Sequence, residues 1–134
     1  VVSRNFYWLS TVTDVLDWTK RQWFITPTKV HGDFTELATL PPVTLDVKTA
    51  FDHDGADDCA HVTLKNPGQL VAFFVRLRVL NKPNGEQILP STWSDNYVSL
   101  LPGETRTLTA RWRSEDAPGA KPTVVVDGWN VVRK

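Results

Sequence analysis

Two carboxylates, Asp95 and Glu104, lie in the stretch WSDNYVSLLPGE, residues 93–104, with the indole of Trp93, the amide of Asn96 and the phenol of Tyr97. Acid–base cleavage of a glycosidic bond needs two carboxyl groups roughly 5 to 10 Å apart, one of them kept protonated by its surroundings. Asp95 and Glu104 meet that requirement by type alone. Glu104 follows Pro102-Gly103 at the start of a strand, on a solvated rim, and nothing near either carboxylate in the sequence points to burial. Turn residues are the stronger reading, and no residue is assigned a catalytic role.

Other chemistry is thinner. Asp52-His53-Asp54-Gly55-Ala56-Asp57-Asp58 places four carboxylates around a glycine. A calcium loop of the EF-hand type orders its acids before the glycine and closes on a glutamate. Here the glycine comes early and no glutamate follows at that distance, so a solvated loop joining two strands is expected, with no metal. His31, His53 and His61 are present, but no G-x-S-x-G surrounds a serine. No C-x-x-C, H-E-x-x-H or phosphate-binding loop occurs. Cys59 is the single cysteine, which excludes an internal disulfide and reads as a packed strand residue. No cofactor is expected.

Aromatic platforms remain. Six tryptophans stand at positions 8, 18, 23, 93, 112 and 129. Such rings serve either as core or as stacking surfaces for sugars and partners. Trp93 is expected in a loop, where a sugar platform and a plain loop residue stay open as alternatives. Phe74 falls on the outward register of a strand beside Arg76 and Arg78, and is expected to be covered by Phe6, Trp8 and Trp23.

The elements that must carry these groups change character near Pro41-Pro42. From there the chain reads as short strands and turns at regular spacing. Val43, Leu45, Val47 and Phe51 share one face. Ala60, Val62 and Leu64 share another, and Val71, Phe73, Val75, Leu77 and Val79 a third. Residues 86–89 are expected as a short return strand after the Pro83-Asn84-Gly85 turn. Val98 and Leu100, then Leu108, Ala110 and Trp112, alternate in turn, and residues 123–126 form the last strand, kinked at Asp127-Gly128. About seven short strands describe an all-β, immunoglobulin-like or fibronectin-like antiparallel sandwich over residues 43–134. Residues 1–42 form an aromatic leader: a strand-like run over 4–9, a helical turn capped by Thr13 reaching Trp18, and a second turn capped by Asp33. It is read as the end of a preceding domain plus a structured linker.

The chain is 134 residues long with formal net charge zero, and no basic stripe points to nucleic acid or an anionic membrane. No apolar run reaches the roughly 18 residues of a membrane span. Methionine is absent, position 1 included. The chain is therefore expected to be a piece of a longer protein, with any secretion signal upstream.

The residues now described resemble a known family. Asn5-Phe6-Tyr7-Trp8-Leu9, Asp17-Trp18, Asp33-Phe34-Thr35-Glu36-Leu37 and Leu40-Pro41-Pro42-Val43 are similar in order and spacing to the C-terminal part of glycoside hydrolase family 2 enzymes. So are Val71-Ala72-Phe73-Phe74-Val75-Arg76, Leu89-Pro90, residues 93–100 and Pro102-Gly103-Glu104. The nearest resemblance is to exo-β-D-glucosaminidases, with β-mannosidases and endo-β-mannosidases close by.

The resemblance implies a terminal immunoglobulin-like domain of a multidomain, retaining enzyme whose two catalytic glutamates sit on a TIM barrel. Nothing in this chain matches the barrel. The implied role is a non-catalytic buttress, partnered by other domains of the same enzyme and located outside the cell. Trp93, Asp95, Asn96 and Tyr97 are the residues expected nearest a substrate cleft. An independent carbohydrate-binding module is the alternative.

Overall fold

A computed structural model describes residues 5–82 and 84–132. It divides into two compact units, Val1–Leu40 and Pro41–Lys134. The sequence reading draws this boundary two residues later, after Pro42.

The second unit is built from the alternation in its strands. β3 (Asp46–Asp54), β4 (Asp57–Lys65), β8 (Thr105–Arg113) and the short β6 (Thr92–Trp93) form one antiparallel sheet in the order β3-β4-β8-β6. β7 (Val98–Leu100), β5 (Ala72–Asn81) and β9 (Pro122–Asp127) form the other, in the order β7-β5-β9. Side chains alternate across a strand with period two, so Val62, Leu64 and Leu108 from the first sheet meet Val75, Leu77, Leu100 and Val126 from the second in one buried cluster. A second cluster joins Ala60, Val79, Ile88, Ala110 and Trp112. Burying each large side chain of this kind stabilises the sandwich by about 1.5–3 kcal/mol. This is the expected immunoglobulin-like β-sandwich, with no α-helix among the described residues.

Register is fixed from the β3–β4 hairpin inward. Asp54 pairs with Asp57 around Gly55, which stands at φ 67°, a conformation that glycine adopts without steric cost. From there Asp57 pairs with Arg113 and Lys65 with Thr105, with no slip between. Phe51 shares the inward parity of Val47 yet is exposed, on β3 at the edge of its sheet.

Two buried asparagines replace backbone partners where strands end. The Asn66 amide donates to the carbonyls of Leu70 and Leu100, and its oxygen accepts Gly68 N–H. Asn130 accepts Phe73 N–H and donates to the carbonyls of Pro41 and Val71. Val43 and Val131 form a parallel bridge beside it.

Several expectations are corrected. Residues 86–89 form no strand; a single bridge, Leu80 to Gln87, anchors them, and Ile88 is buried. Pro83 lies outside the described residues. In β5 Val75, Leu77 and Val79 are buried as expected, but the alternation does not extend back to Phe73 and Val71. Ala72 pairs with Leu100 and Val75 with Val98, so an extra residue is accommodated at Phe73-Phe74, a bulge. Ala72 takes the core position, and Phe73 is buried outside the main cluster.

The first unit also departs from expectation. Residues 5–9 form no strand. A two-strand ladder, β1 (Val15–Leu16) with β2 (Thr28–Val30), replaces the helical turn expected from Thr13. The 3₁₀ turns lie at Trp18–Lys20 and Thr35–Thr39. The carboxylate of Asp33 does accept Thr35 N–H, which holds it below the usual carboxylate range. No helix among the described residues is long and apolar enough to cross a membrane.

Candidate functional site

The segment from Trp93 to Tyr97 is held at every residue. Trp93 is no loop residue: it closes β6, pairs with Ala110 on β8, and packs half-buried against both core clusters. The Ser94 hydroxyl accepts Thr109 N–H, and Ser94 N–H donates to the Thr109 carbonyl. Asp95 accepts Asn96 N–H.

Asn96 takes the place of a strand. Its Oδ1 accepts Leu77 N–H at 2.9 Å and its Nδ2 donates to the Leu77 carbonyl at 2.9 Å. These are the two bonds a residue of β7 would make if the ladder ran on past Val98. The side chain thus extends the pairing by one step while the backbone departs toward β6. Tyr97 stands at that departure, with φ 54°. Across from it Phe74, inside the bulge, has φ 55°, and the two rings lie 5.1 Å apart between centroids.

Charge surrounds this aromatic pair. Asp127 on β9 accepts from Arg76 Nε and Nη2 at 2.8 and 2.9 Å, and from Arg78 Nη2 at 2.9 Å. The Arg76 hydrogen bonds hold the Asp127 carboxyl below the usual range, against partial burial, and Arg78 adds to the effect. Asp127 likewise raises Arg76, with a smaller contribution from the Tyr97 phenol. Tyr97, Phe74 and Arg76 therefore share the outer face of the β7-β5-β9 sheet.

Asp95 and Glu104 share one partner, the Arg106 guanidinium. Its Nε is 3.2 Å from Glu104 Oε1 and its Nη1 is 3.8 Å from Asp95 Oδ2. The other oxygen of Glu104 accepts Leu101 N–H at 2.9 Å, closing the Pro102-Gly103 turn. Both carboxylates are thus engaged with a guanidinium.

The acidic run is likewise tied to basic side chains. Asp54 pairs with Arg111 at 2.9 Å, Asp58 with His53 at 2.9 Å and Asp52 with His61 at 3.1 Å. Ser114 and Asp58 both approach Nδ1 of His53, at 3.5 and 2.9 Å. A Ser–His–Asp relay needs the two ring nitrogens on different partners, so this group is no relay. No group of three metal-ligating side chains occurs among the described residues. Cys59 is buried, and burial pushes its thiol upward, away from a reactive thiolate.

Sequence reasoning missed the working parts of this site: the bulge at Phe74, the Asn96 amide on Leu77, and Arg106 as the tie. Asn96 carried one usable signal, an amide directly before a strand of alternating apolar residues.

Comparison with known proteins places this chain in a family. The sequence-family model described as the exo-beta-D-glucosaminidase Ig-fold domain matches residues 23–131. The chain is 45% identical to an exo-beta-D-glucosaminidase of Amycolatopsis orientalis over 133 residues, covering 96% of this chain and 13% of that protein. It is 40% identical to the exo-beta-D-glucosaminidase of Streptomyces avermitilis, covering 99% of this chain and 15% of that protein. The crystal structure of Amycolatopsis orientalis exo-chitosanase CsxA superposes with a TM-score of 0.86 at 40% identity, over 99% of this chain and 16% of that one. The chain thus spans well under a fifth of the length of these relatives, and it belongs to the Ig-fold domain family of the exo-beta-D-glucosaminidases.

Proposed function

We propose that the chain is a non-catalytic accessory domain of a longer, retaining, exo-acting family 2 glycosidase, with exo-β-D-glucosaminidase or β-mannosidase activity in the parent. The observation that carries this reading is Arg106 paired with both Asp95 and Glu104. The one carboxylate pair that the sequence offered for hydrolysis is spent on closing a turn and fixing a loop. The lengths of the relatives supply the rest: each is several times longer than this chain. On this reading residues 1–42 are the end of a preceding domain with its linker, residues 43–134 buttress the enzyme, and the parent is extracellular.

The 93–97 segment contributes to the rim of the substrate cleft. Trp93 anchors it in the core, Asp95 and Asn96 fix its path, and Tyr97 is the side chain presented outward. The test is kinetic, in the longer polypeptide. Tyr97→Ala raises KM several-fold for a chitosan oligosaccharide and leaves kcat for a nitrophenyl glucosaminide unchanged. Unaltered KM for both substrates would remove the cleft role and leave the buttress.

One observation favours a second reading, an independent carbohydrate-binding module: Tyr97, half exposed, lies beside Phe74 and Arg76 on one face. Titration of the isolated chain with chitosan or mannan oligosaccharides decides it. No heat and no fluorescence change at millimolar sugar would exclude the module.

A further inference from the structure

The loop from Asp17 to Pro27, between β1 and β2, presents four large apolar side chains to solvent: Trp18 is 64% exposed, Trp23 90%, Phe24 78% and Ile25 52%. The loop is nonetheless well built. Asp17 N–H donates to the Pro27 carbonyl at 2.7 Å and closes its neck. The Asp17 carboxylate accepts Thr19 N–H and caps the 3₁₀ turn Trp18–Lys20. Gln22 N–H donates to the Ile25 carbonyl at 2.9 Å and turns the tip. Trp23 and Phe24 meet edge to face at 5.4 Å, and Arg21 lies 6.0 Å from the Trp18 ring. Contiguous exposed apolar residues on an ordered loop mark an interaction site.

We infer that this tip is a docking knob, which inserts Trp18, Trp23, Phe24 and Ile25 into an apolar, carboxylate-edged pocket on another domain of the same longer polypeptide. The inference rests on the accessory-domain reading above. Three observations select this occupant. Relatives extend far beyond this stretch of sequence, and the Ig-fold family model takes in the tip from Trp23 onward. Residues 17–27 carry Lys20 and Arg21 against the single carboxylate of Asp17, which lies 3.6 Å from Lys20, so Arg21 is the cation left to meet an acidic rim. The rings at Trp23 and Phe24 lie at 76° to each other, so the two form no continuous flat platform for a sugar chain. Two cations are also fewer than the four to eight basic residues that mark an anionic-lipid site.

Hydroxyl-radical footprinting tests it, comparing the isolated 134-residue chain with the longer polypeptide that carries it. Trp23 and Phe24 oxidise at least about tenfold more slowly in the longer polypeptide, as rings in a desolvated pocket do. The W23A/F24A double variant, which removes two exposed rings and leaves the isolated chain folded, restores oxidation of Trp18 there. Equal oxidation of Trp23 in both proteins overturns the inference. So does concentration-dependent protection in the isolated chain, which would mean a second copy, and so does protection by phosphatidylglycerol vesicles or chitosan oligosaccharide. A protected tip in a longer polypeptide that hydrolyses no glycoside would instead overturn the accessory-domain reading and leave the knob standing.

Discussion

Phe74 and Tyr97 face each other across the β5–β7 pair with ring centroids 5.1 Å apart, and both hold the left-handed backbone, at φ 55° and 54°. A non-glycine residue in that region costs on the order of 1–2 kcal/mol. The bulge at Phe74 and the Asn96 amide at Leu77 impose the conformation on the pair, and such strain concentrates where a side chain must be aimed.

That cost gives the first prediction. Tyr97→Gly relieves the backbone and loses the ring contact, worth about 0.5–1.5 kcal/mol. Its stability in urea stays within about 1 kcal/mol of the parent sequence, by the difference of the two terms. Tyr97→Val keeps the strain, adds a β-branched clash and loses about 2 kcal/mol or more. Equal losses for both variants would show that the ring, not the backbone, dominates this position.

Asn96 is the device that sets Tyr97. Asn96→Ala leaves Leu77 N–H and C=O without their partners in a half-buried position and costs about 2 kcal/mol. Asn96→Asp keeps the acceptor and puts a carboxylate oxygen against the Leu77 carbonyl, so it does not rescue. Hydrogen exchange at the Leu77 amide reads the effect directly: both variants accelerate it, while Ser94→Ala does not.

The pH dependence follows from Asp127. Its carboxyl is held below the usual range by Arg76 first and Arg78 second. A lowered folded-state value contributes stability that is present above the unfolded value, about 3.9, and is lost as pH falls through the folded value. The melting temperature therefore exceeds that of Asp127→Asn near neutral pH, and the gap narrows only below about pH 4. A gap that is constant from pH 3 to 7 would assign the effect to packing instead of charge.

Trp93 separates core from sugar platform. Its contact with both core clusters predicts that Trp93→Ala loses about 3 kcal/mol. The same variant leaves any oligosaccharide titration curve of the folded protein unmoved. A stable variant with weakened sugar binding would return Trp93 to the platform role.

The sandwich was readable wherever burial follows a period of two. Ala60, Val62 and Leu64 on β4 and Leu108, Ala110 and Trp112 on β8 face inward as their alternation demands. The reading failed where a side chain does a backbone's work. No periodicity reveals a bulge between two phenylalanines, since both register choices bury an aromatic ring. Nor does sequence show that Asn66, Asn96 and Asn130 hold main-chain groups many residues away. The leader was misread because Thr13 has the side chain of a helix cap, while the Asp17 cap and the β1–β2 ladder depend on Pro27 and Thr28 further along. At the candidate site the residue types of Asp95 and Glu104 were visible, but their shared Arg106 was not.

The central claim is that this chain supports hydrolysis elsewhere and performs none. The direct measurement is release of nitrophenol from nitrophenyl β-D-glucosaminide and β-D-mannoside by the purified 134-residue chain, alongside its D95N/E104Q variant. The account predicts no release above buffer from either protein. Release that co-purifies with the folded chain, whether or not the variant abolishes it, would contradict the account.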